Sequence, residues 1–502
     1  MMMVLLVIVL LISAYLFYHL YYKRIGLPPG PMPYPKVGNT MDMVGEKEPE
    51  KIFDEYKAKY GSVVTFWIGN TPMILLNTKE LADEYMIRQG DIFVDRIALD
   101  PVMKIIRGGE SGLINMSGDL WRNQRRFALK VMRDFGLGKS GMEERLLSEA
   151  LFICEKVNKD IDAGLEDIDL KKYLDLATGS VINTVVCGES FTALNKEDDF
   201  YKIQDIMNIV NNGGDDQFAM LLFLFPFLLQ VPYINKRGLA LIEKIQGLLK
   251  HIDKQVDDHL QKNNYSDQSM EPRDFIDAFM LEKARLEENG EDAGYFTKEQ
   301  LRGTAIDLWF AGHDTTSATM SWIVSYLCYH QEIQNKLHDE IDRVISSDRQ
   351  IRTSDRPDLP YLLAFITEVQ RLANIVPFNV PRVTTEDVNI DGFHIKKGTA
   401  VLAQIGTIMR DEKNFSSPFE FKPERFIDNN GKFVANSAVL PFSLGRRSCL
   451  GEGLARMELY LFTANLLNQF KILPGKTPPT LKKIKPSSFH AALYTCKMEK
   501  RY

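Results

Sequence analysis

The 502-residue chain is poor in cysteine and shows no pattern among the few it has. Cys154, Cys187, Cys328, Cys449 and Cys496 are scattered, odd in number and without a C-x-x-C pair. That excludes a disulfide framework and a zinc knuckle, and it suits a chain whose bulk lies in a reducing compartment. An excess of positive charge is also missing. With a net charge of −6 and a pI near 5.9 the chain carries no basic footprint for nucleic acid. Internal repeats are absent, and from about Asn39 onward no linker is long enough to separate one domain from another. Residues 39–502 therefore read as one large domain, although length alone would allow about three. The composition, 45% hydrophobic and 25% charged, is that of an ordinary globular protein with a large core.

Long hydrophobic runs are rare, and two stand out. Met1 to Tyr22 is almost wholly apolar, with His19 its one side chain that charges near neutral pH. About 20 such residues span a bilayer as a helix. The run is too long for a signal h-region and no small-residue cleavage site follows it, so it reads as a transmembrane signal anchor (1–22). Lys23 and Arg24 come next, and positive charge stays on the cytoplasmic side, so the N-terminus is expected in the lumen and the rest in the cytosol. Residues 23–38 form a basic, proline-rich linker whose core, Leu27 to Pro35 (LPPGPMPYP), reads as a stiff spacer. The second run lies between Gly213 and Tyr233. Broken by Pro226 and Pro232, it cannot be one spanning helix and reads as a buried core helix or as a lid.

Elsewhere helical periodicity dominates, as in Leu301 to Tyr329, Gln331 to Ser346 and Tyr361 to Asn374. Val63 to Ile68 and Thr71 to Leu76 flank Gly69-Asn70, a hairpin signal. The predicted fold class is mainly α with small β-sheets, a single large domain behind the anchor. The polar stretch Asp253 to Asp274 reads as an exposed loop.

Phe442 to Gly451 (FSLGRRSCLG) places Cys449 between glycines and beside arginines, where an apolar helical run begins. A buried structural thiol is one reading. The other is a haem held by a thiolate, since soft anionic sulfur suits iron and favours O–O cleavage as an axial ligand. Gly445 and Gly451 would allow a tight turn close to a flat macrocycle, and the helix after Cys449 points its positive end at the sulfur. Taken together, Phe442, Gly445, Arg447, Cys449 and Gly451 resemble the haem-binding loop of the cytochrome P-450 superfamily. The resemblance extends from the anchor to the C-terminus and is closest in style to animal microsomal members, in which a proline hinge also follows the anchor.

The resemblance implies haem b with Cys449 as axial ligand of the iron, and a monooxygenase at the endoplasmic reticulum membrane. Such an enzyme oxidises a lipophilic small molecule (xenobiotic, fatty acid or steroid) with dioxygen and with electrons from an NADPH-dependent cytochrome reductase, cytochrome b5 being a second possible donor. A haem-thiolate isomerase or dehydratase, and a haem-binding sensor or carrier without turnover, are the alternatives. In Ala311-Gly312-His313-Asp314-Thr315-Thr316 it implies that Gly312 lets the helix open over the haem, Thr315 hydrogen-bonds dioxygen or its water, and Asp314 relays protons. Otherwise Thr315 back-bonds to its own helix and Asp314 is a surface acid. His313 reads as a satisfied histidine.

Glu368 and Arg371 share a helix face, and with Arg425 they match a buried structural Glu-Arg-Arg network. Arg447, Arg382 and the pair Trp121 and Arg125, four apart on one helix face, are candidates for the haem propionates. Arg122, Arg126, Lys130 and Arg133 fall on a neighbouring arc of that helix, which the resemblance makes a docking face for an acidic electron donor. Substrate contacts are expected by position in Arg96 to Ser117, around Phe310 and Ala311, in Ile375 to Val380 and near Phe489; the run Phe218 to Tyr233 would dip into the membrane surface at the entrance.

Overall fold

The N-terminal apolar run is a helix, α1 (Met2–Leu20), with no residue buried against the rest of the molecule. Its extension Met2–Arg24, 23 residues, is long and apolar enough to cross a membrane. The computed structural model describes residues 2–43, 47–99, 104, 107–135, 140–213, 218, 222, 226–267, 269–483 and 491–502. The proline-rich stretch behind α1 does not stand free as a spacer. Proline cannot donate to a ladder but its carbonyl can accept: the Thr65 N–H donates to the Pro29 carbonyl at 2.9 Å and its hydroxyl to that of Pro28 at 2.7 Å. The Lys23 ammonium lies 4.2 Å from the Trp67 ring centroid.

Fourteen further helices follow among the described residues: α2 (Pro49–Tyr60), α3 (Lys79–Asp83), α4 (Gly118–Asp134), α5 (Ser140–Asp162), α6 (Leu170–Cys187), α7 (Glu197–Gly213), α8 (Pro232–Ile245), α9 (Gly247–Lys262), α10 (Phe275–Glu288), α11 (Lys298–Tyr329), α12 (Gln331–Val344), α13 (Pro360–Ala373), α14 (Ile405–Met409) and α15 (Glu452–Gln469). The predicted hairpin is present: β1 (Val63–Ile68) pairs with β2 (Thr71–Leu76) in the register Val63↔Leu76 to Ile68↔Thr71. It forms one side of a five-stranded sheet of order β1-β2-β7-β4-β3, where β3 is Phe93–Asp95, β4 is Arg382–Thr384 and β7 is Ala400–Ala403. Two small ribbons, β5 (Val388–Ile390) with β6 (Phe393–Ile395) and β8 (Phe470–Pro474) with β9 (Cys496–Lys500), complete the strands. The fold is mostly helical with small sheets.

At the centre is α11, capped by the Thr297 hydroxyl accepting from the Gln300 N–H at 3.1 Å and buried along most of its length against α6, α13 and α15. A helix so enclosed has little solvated face to give a strong amphipathic period. Its polar side chains, Asp307, Asp314, Ser317 and Ser321 among them, are buried and must be used or bonded.

The polar stretch 253–274 departs from its sequence reading. Buried Leu248, Ile252 and Val256 recur at helical spacing, so α9 continues to Lys262 beneath a charged outer face. Asp274 is a buried N-cap of α10, accepting from the Asp277 N–H at 2.9 Å and facing His259 Nε2 at 2.9 Å. In the apolar run 213–233, residues 214–217, 219–221 and 223–225 lie outside the described residues. The remainder is a short turn, Pro226–Gln230, followed by Pro232 in the first turn of α8. Of the run's described residues, Leu222 is buried while Phe227, Val231 and Tyr233 are exposed.

Candidate active site

Cys449 is the one cysteine of the five that is not buried. Its loop is shaped by a turn at Gly445–Arg447 and by the Cys449 N–H donating to the Phe442 carbonyl at 2.9 Å. At Gly445, φ is +69° and a Cβ would lie 1.9 Å from the Met86 carbonyl oxygen, so only glycine lets the loop abut that backbone. Gly451 differs from expectation. Its φ is −90° as N-cap of α15, and a Cβ there would meet no protein atom, so neither backbone nor packing demands glycine.

The sulfur is exposed yet enclosed by enough protein that desolvation raises the thiol pKa, with the Glu452 carboxylate adding to the rise. The Gly451 and Glu452 N–H groups at the start of α15 and the Arg125 guanidinium oppose it. The net shift is upward, and a coordinated metal ion deprotonates such a thiol outright. The Phe442 ring beside it is covered by the Arg456 guanidinium at 4.8 Å.

Around this loop four guanidiniums converge. Arg447 donates to the carbonyls of Val94 (2.7 Å) and Met116 and stacks 3.6 Å over Trp121; Arg382 donates to Met86 and Leu444; Arg125 donates to Ser448 at 2.6 Å. The fourth is Arg96, which reaches the carbonyls of Ile114, Val380 and Pro381. No carboxylate among the described residues forms an ion pair with any of them. Burial first, then the charges of the neighbouring arginines, pushes Arg447 down to about 8, Arg96 to about 9 and Arg382 to about 10. Crowded cations that form no ion pair among the described residues, with only the charge of Asp95 acting on Arg447, fit a ligand bearing two carboxylates beside a sulfur donor, as haem does.

Two turns of α11 carry the residues expected on the opposite side of the haem. Ala311 is exposed within an otherwise buried stretch, and Thr315 one turn on is half-buried. The Thr315 hydroxyl donates to the Ala311 carbonyl at 2.6 Å, the back-bond that was one of its two readings. Asp314 is buried, at 4% exposure, and is not a surface acid. The helix does not open at Gly312, which is instead a close-packing point: a Cβ there would sit 2.6 Å from Ile182 Cδ1 of α6. His313 packs its ring against Phe200 and Trp309.

The Glu-Arg-Arg cluster is assembled. Glu368, fully buried on α13, accepts from Arg371 Nε at 2.7 Å and Nη2 at 2.9 Å, and from Arg425 Nε at 2.9 Å. Arg371 spends its remaining N–H groups on the carbonyls of Met409 and Pro418, which ties α13 to the segment after α14. On α4, Trp121 is buried and Arg125 half-buried, whereas Arg122, Arg126, Lys130 and Arg133 are all exposed along the adjoining arc.

Sequence reading missed Arg96 as a cation of this cluster, and it missed Asp307. Seven residues before Asp314 and equally buried, Asp307 pairs with Arg107 and accepts from the Leu113 and Ile114 N–H groups. An acid in an apolar helix, the signal that singled out Asp314, marks Asp307 too. Of the positions expected at substrate, Phe310, Ala311 and 375–380 are described, 96–117 incompletely, and Phe489 lies outside the described residues.

Comparison with known proteins agrees with this geometry. The family model Cytochrome P450 matches residues 28–495. Cytochrome P450 2H1 of Gallus gallus is 35% identical over 458 residues, covering 89% of this chain and 88% of that protein. Cytochrome P450 2D26 of Rattus norvegicus is 34% identical over 459 residues (90% and 89%), and Cytochrome P450 2J5 of Mus musculus 34% identical over 448 (89% and 86%). A thiol in a glycine-shaped loop, a group of guanidiniums with no ion-pair partner among the described residues and a match across almost the whole length converge on one conclusion: the chain belongs to the cytochrome P450 family, whose members are haem b monooxygenases.

Proposed function

We propose that this protein is a membrane-anchored monooxygenase of the endoplasmic reticulum that oxidises a lipophilic small molecule. What carries the reading is Cys449, the exposed sulfur at the N-terminus of α15, set beside four guanidiniums that lack a carboxylate partner among the described residues. Cys449 would hold the iron, and Arg96, Arg125, Arg382 and Arg447, with Trp121 stacked beneath Arg447, would hold the two propionates. Haem b bound there supplies reductive cleavage of dioxygen and insertion of one oxygen atom into a C–H bond.

The chain's own residues do the rest. Ala311 offers a small apolar surface where substrate would lie, and 96–117 and 375–380 would close around it. Thr315 can turn its hydroxyl from the Ala311 carbonyl toward the reacting oxygen, with Asp314 as the buried acid that returns protons to it. Glu368, Arg371 and Arg425 hold the frame and stay out of the chemistry. Electrons would come from an NADPH-dependent reductase, or from cytochrome b5, docked on the exposed basic arc of α4. Lys23 and Arg24 behind the apolar helix support a lumenal N-terminus and a cytosolic catalytic domain.

Cys449→Ser tests the reading. The parent, loaded with haem, reduced and exposed to carbon monoxide, should give the Soret band of a thiolate ligand and the variant should lose it. A variant band identical to the parent's overturns the ligand assignment.

A further inference from the structure

Beside the site, a second buried carboxylate is wired to the helix that carries Asp314 and Thr315. Asp175 of α6, 4% exposed, accepts on Oδ1 the hydroxyl proton of Ser317 and on Oδ2 both the Lys171 ammonium at 2.6 Å and the Gln204 amide of α7. Ser317 is fully buried and stands three residues after Asp314, on the same face of α11. Lys171, by contrast, reaches the surface with its side chain 19% exposed. The surroundings keep this corner closed: Gly312 abuts Ile182 of α6, and His313 abuts Phe200 of α7. An acid buried there needs its bonds, yet one arginine or a pair of hydroxyls would satisfy it without linking solvent to the centre of α11.

We propose that Lys171, Asp175 and Ser317 form a proton path from the surface to Asp314, with Asp175 as its inner carrier. This rests on the role given above to Asp314 and Thr315. Cβ atoms three residues apart on a helix lie about 5–6 Å from each other, a gap between Ser317 and Asp314 that one bridging water would span. In each passage a solvent proton arriving beside the Lys171 ammonium is taken up by the Asp175 carboxylate, and the ammonium keeps its charge. The neutral Asp175 carboxyl then donates to Ser317 Oγ as the Ser317 hydroxyl, turned toward α11, gives its own proton through the water to the Asp314 carboxylate. Asp175 ends as a carboxylate, Ser317 as a hydroxyl, and one proton has moved inward.

Asp175→Asn separates carrying from holding. Asparagine can still accept the Ser317 hydroxyl on its amide oxygen, but its NH2 gives up the Lys171 ammonium and keeps its bond to α7 only with the Gln204 amide oxygen turned toward it, and it cannot take up a proton at neutral pH. The haem-loaded full chain, with its reductase and a substrate that turns over, should release several-fold more peroxide per NADPH consumed, with a changed solvent deuterium isotope effect. Infrared spectra of the resting protein supply a readout apart from turnover: the carboxylate band that Asp175→Asn removes should shift in Ser317→Ala. If Asp175→Asn does not fold, Lys171→Met at the surface end carries the same coupling test. Unchanged peroxide yield and isotope effect, or an Asp175 band indifferent to Ser317, overturn the path. Should Asp314→Asn and Thr315→Ala also leave coupling unchanged, the failure belongs to the proposed function itself; if only Asp175→Asn is silent, it belongs to this path alone.

Discussion

Arg107 Nη2 lies 2.6 Å from Asp307 Oδ1, and the other oxygen of that carboxylate accepts from the Leu113 and Ile114 N–H groups at 2.6 and 2.9 Å. The loop so fixed also hands the carbonyls of Leu113 and Met116 to Arg447 and that of Ile114 to Arg96. One buried acid on α11 therefore holds the loop that aims two of the four guanidiniums. Asp307→Ala strands a buried cation and two amides, a loss of about 3–5 kcal/mol. The expected outcome is a lower Tm and a smaller haem-to-protein ratio, with Asp307→Asn between parent and alanine because its amide oxygen still accepts. Equal haem content in all three would show that the loop is held by other means.

Glu368 presents a different kind of dependence. Removing its charge leaves Arg371, fully buried, and Arg425 facing each other with no anion between them. Glu368→Gln should cost about 3–5 kcal/mol and lower the yield of folded protein. Any folded fraction should keep the parent's thiolate Soret band, since neither arginine touches the Cys449 loop. A band lost in well-folded Glu368→Gln would assign the cluster a role in ligation.

What could be read in advance, and what could not, follows from how far apart the partners lie. The β1–β2 hairpin and the Cys449 loop are local: Gly69-Asn70 and Gly445 are the residues whose backbones turn, and the sequence displays them. Glu368 and Arg371 are also local, but Arg425 joins them only through the tertiary fold, and the family resemblance supplied it. Arg96 was out of reach. Its acceptors are backbone carbonyls, two of them at Val380 and Pro381, and a carbonyl leaves no mark in a sequence. In α9 the polar outer face hid three buried aliphatics, so composition outweighed period. Gly312 was given flexibility where packing against Ile182 is what glycine provides, because glycine's two uses look alike in one dimension.

Two buried acids, Glu149 and Glu458, set a pH dependence. Burial pushes the Glu149 carboxyl of α5 up from 4.5 to about 7 against its bonds from Thr192 and Ser190, and pushes Glu458 of α15 well up, helped by the Glu149 charge. A carboxyl whose pKa is raised by folding contributes stability below its unfolded value and loses it as pH climbs through the folded value. For Glu149 that window runs from 4.5 to about 7, and its span corresponds to a loss on the order of 3 kcal/mol. Glu458→Gln removes one charge from the pair. Chemical denaturation should show the variant more stable than the parent at about pH 8, nearly equal at about pH 5, and flatter in between. Parallel pH profiles would mean that Glu458 contributes nothing to the pH dependence.

The basic arc of α4 can be tested by salt. Arg126 and Lys130 are exposed, and neither belongs to the guanidinium cluster that would meet the propionates. Charge pairs across a transient interface act mainly on the association rate and are screened over a Debye length of about 10 Å at 0.1 M salt. Arg126→Glu with Lys130→Glu should therefore slow reduction by the reductase strongly at low ionic strength and weakly at high ionic strength, while the carbon monoxide spectrum and Tm stay those of the parent. An effect of equal size at every salt concentration would place the donor elsewhere, because a lost charge contact must fade as salt screens it. Slowing by both the reductase and cytochrome b5 would further show that the two donors share this face.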